Sequence, residues 1–558
     1  IGYESMNVNT SGEENTTVGY QTLAANTTGS YSTAVGYRAM YLQTTGNYNT
    51  AVGSQALYNN VDGDRNTAVG FQALHSMEPA DGGGQNTAVG DRAGYKTTTG
   101  HSNVYLGYIA GYEMTTGERN VVIGHEAAQN ANTMNYSVAI GNAAGRNLSG
   151  SSEAIYIGRN TGYFVSGNRN TFVGTNAGFG GASLGHATTE SVAIGRNAFY
   201  YNSDANYTVA IGSDALVGAA TGISGDNNVA IGREAMKNTT TGYETVAVGA
   251  GAGYNVTTAN RNVYVGHQAG YNQAASAEYS VMIGQEAGYD VSGQRNLMIG
   301  GGAGHNAKVD TTESTYVGYN AGANASGATN TFVGASAGVS TNTGTGLTAV
   351  GSNALKTITG SYNTAIGWGA MADGAGDAGS NVAVGHRSLQ AITTGDRNVG
   401  IGSYGLAAVT THNDNTTVGD EAGKQVNSSN NTIMGSRAGE KLDDTTNGAG
   451  GNTIVGAWAG RGDNGTFSGA YNVIMGAYAM NANALTTAEQ NVAIGYKALS
   501  GSTTASRNIV IGNEAALVTT TGADNVVIGN KALDSNNGNY NVIIGQSAAQ
   551  GATTMDAS

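Results

Sequence analysis

Eight histidines are the side chains in this sequence best suited to bind a metal ion or to move a proton near neutral pH. Three of them, His125, His267 and His386, each follow the glycine that closes one short sequence motif. They occupy equivalent places in distant copies of that motif, so they cannot meet in one site. We expect them to lie on the surface, and we predict no catalytic residue and no metal ligand.

Two other patterns could bind a ligand. Residues 249–253 read Gly-Ala-Gly-Ala-Gly, but a dinucleotide-binding loop also needs a following helix whose N-terminus receives the phosphate, and none is predicted here. The acidic loops 62–64 and 373–377 could hold calcium if backbone carbonyls completed its roughly six to eight oxygen ligands. The calcium-binding nonapeptide repeat is absent, so we expect solvated turns and predict no cofactor.

Tyrosine accounts for 31 residues, and many of them share one place in the motif. Examples are Tyr95, Tyr112, Tyr163, Tyr254, Tyr271 and Tyr289. A ladder of rings could bind sugars, but stacking of the rings on each other is the simpler prediction. Glycoside hydrolysis requires two carboxyl groups held across a cleft, and a straight array of small side chains offers none. We therefore predict that the chain is not an enzyme.

The composition excludes several classes of protein. There is no cysteine, which removes disulfide scaffolds and thiolate metal sites. The net charge is −14 and no Lys/Arg cluster is present, so nucleic-acid binding is not expected. The chain has 89 glycines but only one proline, Pro79. This excludes collagen, which needs glycine at every third position and abundant proline. No apolar run approaches the roughly 20 residues of a membrane span, so we predict no membrane insertion.

The motif that contains these residues repeats along the whole chain. Its anchor is a glycine that follows Val or Ile in 29 of 32 copies, and these anchors run from Gly2 to Gly545 at a commonest spacing of 17 residues. A short fixed period indicates a stacked array of coils. We predict an all-β parallel β-solenoid of about 32 coils that occupies residues 1–558 as one continuous array. Because the chain begins within a repeat, at Ile1, we expect it to be part of a longer protein.

Alternation along the strand before each anchor predicts which side chains point inward. In residues 209–211, for example, Val209 and Ile211 share one face and Ala210 the other. The aliphatic first and third positions are expected to face inward, so the Thr residues found there would also lie inside. The middle position is Ala, Tyr, Phe, Val, Ile, Met or Gly in nearly every repeat, which predicts an outward apolar stripe that another copy of the chain must cover.

Three further columns support stacking in register. The anchor glycine permits a close backbone approach, and Ala three residues later, as in Ala56, Ala73 and Ala93, indicates a tight packing layer. Asn begins 22 of the 31 complete strands, as at Asn66 and Asn86, and predicts a hydrogen-bonded ladder. Insertions at 179–185 and 443–446 are expected to be surface loops.

The unit Asn-Thr-Ala-Val-Gly-x-x-Ala-Leu, seen at Asn49 to Leu57, resembles repeats in the tail-fibre proteins of bacteriophages and related particles. The sequence Ser-Val-Ala-Ile-Gly at Ser137 to Gly141 and at Ser191 to Gly195 is similar to repeats in the heads of trimeric autotransporter adhesins. The resemblance covers essentially the whole chain. Those heads are left-handed parallel β-rolls assembled as trimers, so the resemblance implies a homotrimer.

Three functional classes remain open. The first is the structural shaft of a trimeric tail fibre on a virion or extracellular particle, with baseplate or tail proteins as partners and a host-surface glycan or protein as a further one. The second is a trimeric adhesin on a bacterial cell surface that binds matrix or glycan through its repeat face. The third, an ice-binding or enzymatic solenoid, needs an exposed Thr array or a cleft, and the expected inward Thr positions disfavour it.

Overall fold

A computed structural model describes residues 1–78, 84–148, 150–180, 186–218, 222–274, 277–307, 311–341, 343–442, 450–462, 465–481, 487–534 and 537–551. These residues form two compact units, Ile1–Ser280 and Val281–Ser558. Each unit is an all-β parallel β-solenoid, and none of the residues described lies in a helix. The predicted all-β parallel β-solenoid is confirmed.

The first unit is built on three-residue strands that recur once per repeat. Its strands are β1 (Thr16–Val18), β2 (Thr33–Val35), β3 (Thr50–Val52), β4 (Thr67–Val69), β5 (Thr87–Val89), β6 (Val104–Leu106), β7 (Val121–Ile123), β8 (Met134–Asn135), β9 (Val138–Ile140), β10 (Ser151–Ser152), β11 (Ile155–Ile157), β12 (Val165–Ser166), β13 (Thr171–Val173), β14 (His186–Ala187), β15 (Val192–Ile194), β16 (Val209–Ile211), β17 (Val229–Ile231), β18 (Val246–Val248) and β19 (Val263–Val265). The two-residue strands form separate small pairs, β8 with β10 and β12 with β14.

The second unit repeats the same plan. Its strands are β20 (Val281–Ile283), β21 (Leu297–Ile299), β22 (Thr315–Val317), β23 (Thr331–Val333), β24 (Thr348–Val350), β25 (Thr364–Ile366), β26 (Val382–Val384), β27 (Val399–Ile401), β28 (Thr416–Val418), β29 (Thr432–Met434), β30 (Thr453–Val455), β31 (Val473–Met475), β32 (Val492–Ile494), β33 (Ile509–Ile511), β34 (Val526–Ile528) and β35 (Val542–Ile544).

Neighbouring three-residue strands pair in parallel without any shift of register. Ala34 of β2 stands beside Ala51 of β3, and Ile454 of β30 stands beside Ile474 of β31. Equivalent positions of successive repeats therefore form columns along each unit, spaced by about 4.8 Å. A property of one position in the repeat becomes a property of a whole column.

The prediction of which strand face points inward was wrong. The middle residue of the strand is the buried one: Ala210 is fully buried, whereas Val209 and Ile211 are partly exposed. The reason is that the interior of a coil is narrow, and two of the positions that fill it are the middle of the strand and the fourth residue after the anchor glycine. In most coils where the first is small the second is large, as in the pairs Ala34 with Met40 and Ala210 with Leu216. Where both are small, as at Ala88 and Gly94, the ring of Tyr105 from the next coil lies beside the glycine.

The converse pairing places a large residue in the strand opposite a glycine. Tyr105 is fully buried, and a methyl group added at Gly111 would overlap its ring. Phe172 is related to Gly178 in the same way. The strand middle and the residue six positions later thus exchange volume while the interior stays filled.

The columns predicted from glycine, alanine and asparagine are present. A side chain at Gly53 would collide with the carbonyl group of Gly70 in the next coil, which confirms the close backbone approach. Ala73 is fully buried. The backbone N–H of Asn103 donates to Oδ1 of Asn86 at 3.0 Å, while Nδ2 of Asn103 donates to the carbonyl of Gly117 at 2.7 Å. These fully buried amides satisfy corner groups that would otherwise be unpaired.

The corners of each coil also contain residues other than glycine in the left-handed backbone conformation. Gln55 and Leu57 have φ values of 60° and 51°, and such conformations cost roughly 1–2 kcal/mol per residue. Hydrogen bonds to the adjacent coils offset this cost, as from the N–H of Gln55 to the carbonyl of Tyr37 at 2.8 Å. A coil is therefore stable only when it is stacked on its neighbours.

The exchange of volume inside a coil predicts a compensating pair of substitutions. Ala210→Phe should overfill its coil and cost about 1–3 kcal/mol, and Leu216→Gly should leave a cavity that costs about 2–5 kcal/mol. The double variant recreates the pair found at Phe172 and Gly178, so it should be more stable than either single variant. Amide hydrogen exchange in β16 measures the free energy of local opening. Additive losses would contradict the shared interior.

Candidate functional site

The outward side of the repeated strand is the most extensive distinctive surface of each unit. We define the outer apolar stripe as the first and third residues of the three-residue strands, which are Thr, Val, Ile, Leu or Met at every level. Val18, Leu106 and Ile194 in the first unit are 42%, 44% and 40% exposed, and Met434 in the second is 45% exposed. The stripe thus leaves apolar surface open to water at coil after coil.

The Thr residues that begin strands also lie on this outer face, so the premise that disfavoured an ice-binding surface was wrong. β1 to β5 all begin with Thr and end with Val. The hydroxyl column is interrupted, however, because β6, β7 and β9 begin with Val and β11 with Ile. The face as a whole is more apolar than hydroxylated, and its chemistry suits burial against another apolar surface.

Aromatic rings form rows beside the strands. Tyr3, Tyr20 and Tyr37 each follow an anchor glycine, and their ring centroids are 5.5 Å apart. At the fifth residue after the anchor, Tyr95 stacks on Tyr112 at 5.0 Å. The prediction that tyrosines stack on each other is confirmed for these rows. Stacking covers most ring faces and pins neighbouring coils in register.

Ion pairs link successive coils on the outer corner five residues before the anchor. Arg397 donates two hydrogen bonds to Asp414, at 2.7 and 2.9 Å, and Arg507 does the same to Asp524, at 2.7 and 2.8 Å. These hydrogen bonds from arginine lower the pKa of both carboxyl groups below the ordinary aspartate value. Exposed pairs of this kind add little stability individually, but they favour the native register.

The histidines, the glycine-rich segment and the acidic loop considered as possible ligand sites instead make contacts within the repeat structure. His125 stacks on Tyr108 at 5.1 Å, and His386 stacks on Trp368 at 5.2 Å. His267 is exposed. Residues 249–253 form the turn that follows β18, with no helix after it. Oδ1 of Asp64 accepts the N–H of Asn47 at 2.6 Å, in the manner of the Asn ladder.

Within the described ranges no group of three or more His, Cys, Asp or Glu side chains is arranged to hold a metal ion. The predicted loop at 443–446 and most of the one at 179–185 lie outside those ranges. No helix long and apolar enough to cross a membrane occurs in the part of the chain that the structure describes.

Comparison with known proteins finds no matching family model and no matching curated protein. An outward apolar stripe was expected, but on the middle residues of the strands rather than on their first and third residues. The inverse relation between the size of the strand middle and that of the residue six positions later is the sequence signal that could have identified the correct face.

The ion pairs predict a dependence of stability on pH. Asp414 and Asp524 have a lower pKa in the folded chain, so their stabilising effect is present above the ordinary aspartate pKa and is lost as the pH falls through the lowered value. We expect the unfolding midpoint to fall on acidification below about pH 4, and to fall less in the variant carrying Asp414→Asn and Asp524→Asn. Thermal unfolding at fixed ionic strength measures this difference. Identical pH profiles for the two proteins would contradict it.

Proposed function

We propose that the chain is the structural shaft of a trimeric fibre, carried on a virion or virus-like particle and supporting attachment to a host. The observation that carries this proposal is the outer apolar stripe, which recurs at every three-residue strand of both units. Within each unit, an apolar stripe repeated at coil after coil exceeds what a soluble monomer usually exposes. In the proposed fibre, other chains cover it.

Another copy of the same chain is the partner that best fits the stripe. Val and Ile recur in zero-shift register at about 4.8 Å, and an identical chain presents the same side chains at the same spacing over the same number of coils. A match of this kind adds favourable contacts at each level. The number three comes from the resemblance to adhesin heads, where parallel β-rolls assemble around a common axis.

The repeat also suits a load-bearing role. Each coil hydrogen-bonds to the coils before and after it, as at the N–H of Gly53 to the carbonyl of Val35 and the N–H of Gly70 to the carbonyl of Val52, both at 2.8 Å. Tension or bending is therefore shared by many equivalent bonds. In this role the partners would be baseplate or tail proteins at one end and a host-surface glycan or protein at the other.

A trimeric bacterial surface adhesin is the second candidate. The exposed aromatic row at Tyr3, Tyr20 and Tyr37, with exposures of 66%, 41% and 45%, favours it. The exposed edges and hydroxyl groups of such rings can bind matrix protein or glycan. A chaperone domain in the full-length protein would favour the fibre, and a membrane-anchor domain would favour the adhesin.

The assembly is tested by the mass of the intact protein in solution. Light scattering after size exclusion should give about three times the chain mass of 56.1 kDa. A mass of one chain would overturn the proposal. If that monomer also stopped the growth of ice crystals, the stripe would be an ice-binding surface instead.

Matched substitutions test whether the stripe is the contact surface. Ile194→Glu places a charge on the stripe, and Tyr207→Glu places the same charge on an exposed ring off the stripe in the adjacent coil. We expect Ile194→Glu to create a protease-sensitive site, because buried unpaired charges force the chains apart at that level. Tyr207→Glu should leave resistance unchanged. Equal behaviour of the two variants would contradict the stripe as the interface.

A further inference from the structure

A trough interrupts the regular surface of the second unit. It has a volume of about 440 Å³ and lies on the corner after the anchor glycine, beside the coils of β20 to β23. At the anchor Gly300 the next two residues are also glycine, Gly301 and Gly302, where most other repeats carry larger side chains. The side-chain row five residues after the anchor changes nearby from His305 to the smaller Ala323. Missing side chains in two adjacent rows open the trough.

The ring of Tyr319 borders the trough and is not stacked in its row. It is 66% exposed, and its neighbours above and below are Gly301 and Ala335, as shown by the hydrogen bonds from Asn320 N–H to Gly301 O and from Ser336 N–H to Tyr319 O. Equivalent rings elsewhere, such as Tyr20, stack on both sides. The faces of Tyr319 are therefore open to a ligand.

Polar side chains line the remaining walls. Nε2 of His305 lies 3.4 Å from Oε2 of Glu286, and the His305 ring is held by stacking on Tyr289 at 5.2 Å. The amide of Asn320 reaches over Gly302 into the space of the missing side chain. Gln285 adds a second amide. Amide groups both donate and accept hydrogen bonds, and a carboxylate accepts them.

We propose that this trough binds one pyranose unit of a neutral glycan. A pyranose ring has an apolar C–H face, which suits the open face of Tyr319, and a rim of hydroxyl groups, which suits the amides, Glu286 and His305. The volume lies within the range of about 300–1,000 Å³ that small-molecule sites occupy. The described lining contains Glu286 and no Lys or Arg, so it favours a neutral sugar over an anionic one or a nucleotide. The site does not depend on the shaft role.

The full chain in its native assembly can be titrated with methyl glycosides of glucose, galactose, mannose and N-acetylglucosamine, with binding followed by saturation-transfer NMR. We expect at least one of these sugars to bind. Tyr319→Ala should weaken its affinity about tenfold, the loss of about 1.4 kcal/mol. Tyr362→Ala, which removes a similarly exposed ring (69%) outside the trough, should have no effect.

Gly301→Tyr provides a variant that preserves the fold. It introduces a residue type that recurs at this position, as at Tyr20 and Tyr37, and its backbone needs no left-handed conformation. A Cβ at Gly301 would meet the Tyr319 ring at an ordinary contact distance of 3.6 Å. We expect it to fold normally and to abolish sugar binding. The inference is overturned if no glycoside binds, if binding survives both Tyr319→Ala and Gly301→Tyr, or if only peptides bind. A mass measurement on the same samples tests the shaft separately.

Discussion

The stacking of each coil on the next with no shift of register is the constraint on which the rest of the structure depends. It turns each position of the repeat into a column of similar residues, as at Ala34 and Ala51. A buried side-chain amide can then bond to the next, as Nδ2 of Asn103 donates to Oδ1 of Asn86. A glycine column permits backbones to approach more closely than any side chain allows. The cost of left-handed corners is offset because each corner is held by its neighbours.

Much of this arrangement could be predicted because a column reveals itself as a recurring residue. The solenoid, the Asn ladder, the Ala layer and the stacked tyrosines followed from the period alone. The strand faces could not be assigned in the same way, because both faces are apolar and hydrophobicity does not distinguish them. Volume does: Tyr105 faces Gly111, whereas Ala210 accompanies Leu216. Only an interior of limited size requires that relation.

The two proposed functional surfaces arise from opposite features of the repeat. The outer apolar stripe comes from what every coil shares, and it can serve assembly because a second copy matches it level by level. The trough beside Tyr319 comes from a local loss of side chains in two rows, at Gly301, Gly302 and Ala323. Its lining could not be read from a single repeat, because the residues belong to successive coils that the register brings together.

Cross-linking from engineered cysteines tests the central claim most directly, because the chain has no native cysteine. In native protein, Ile211→Cys should be joined to its counterparts in other chains by a short bis-maleimide, since it lies on the outer stripe. Ala210→Cys should react only after denaturation, since it lies inside its coil. The account is contradicted if Ala210→Cys reacts in the native protein while Ile211→Cys yields no linked chains.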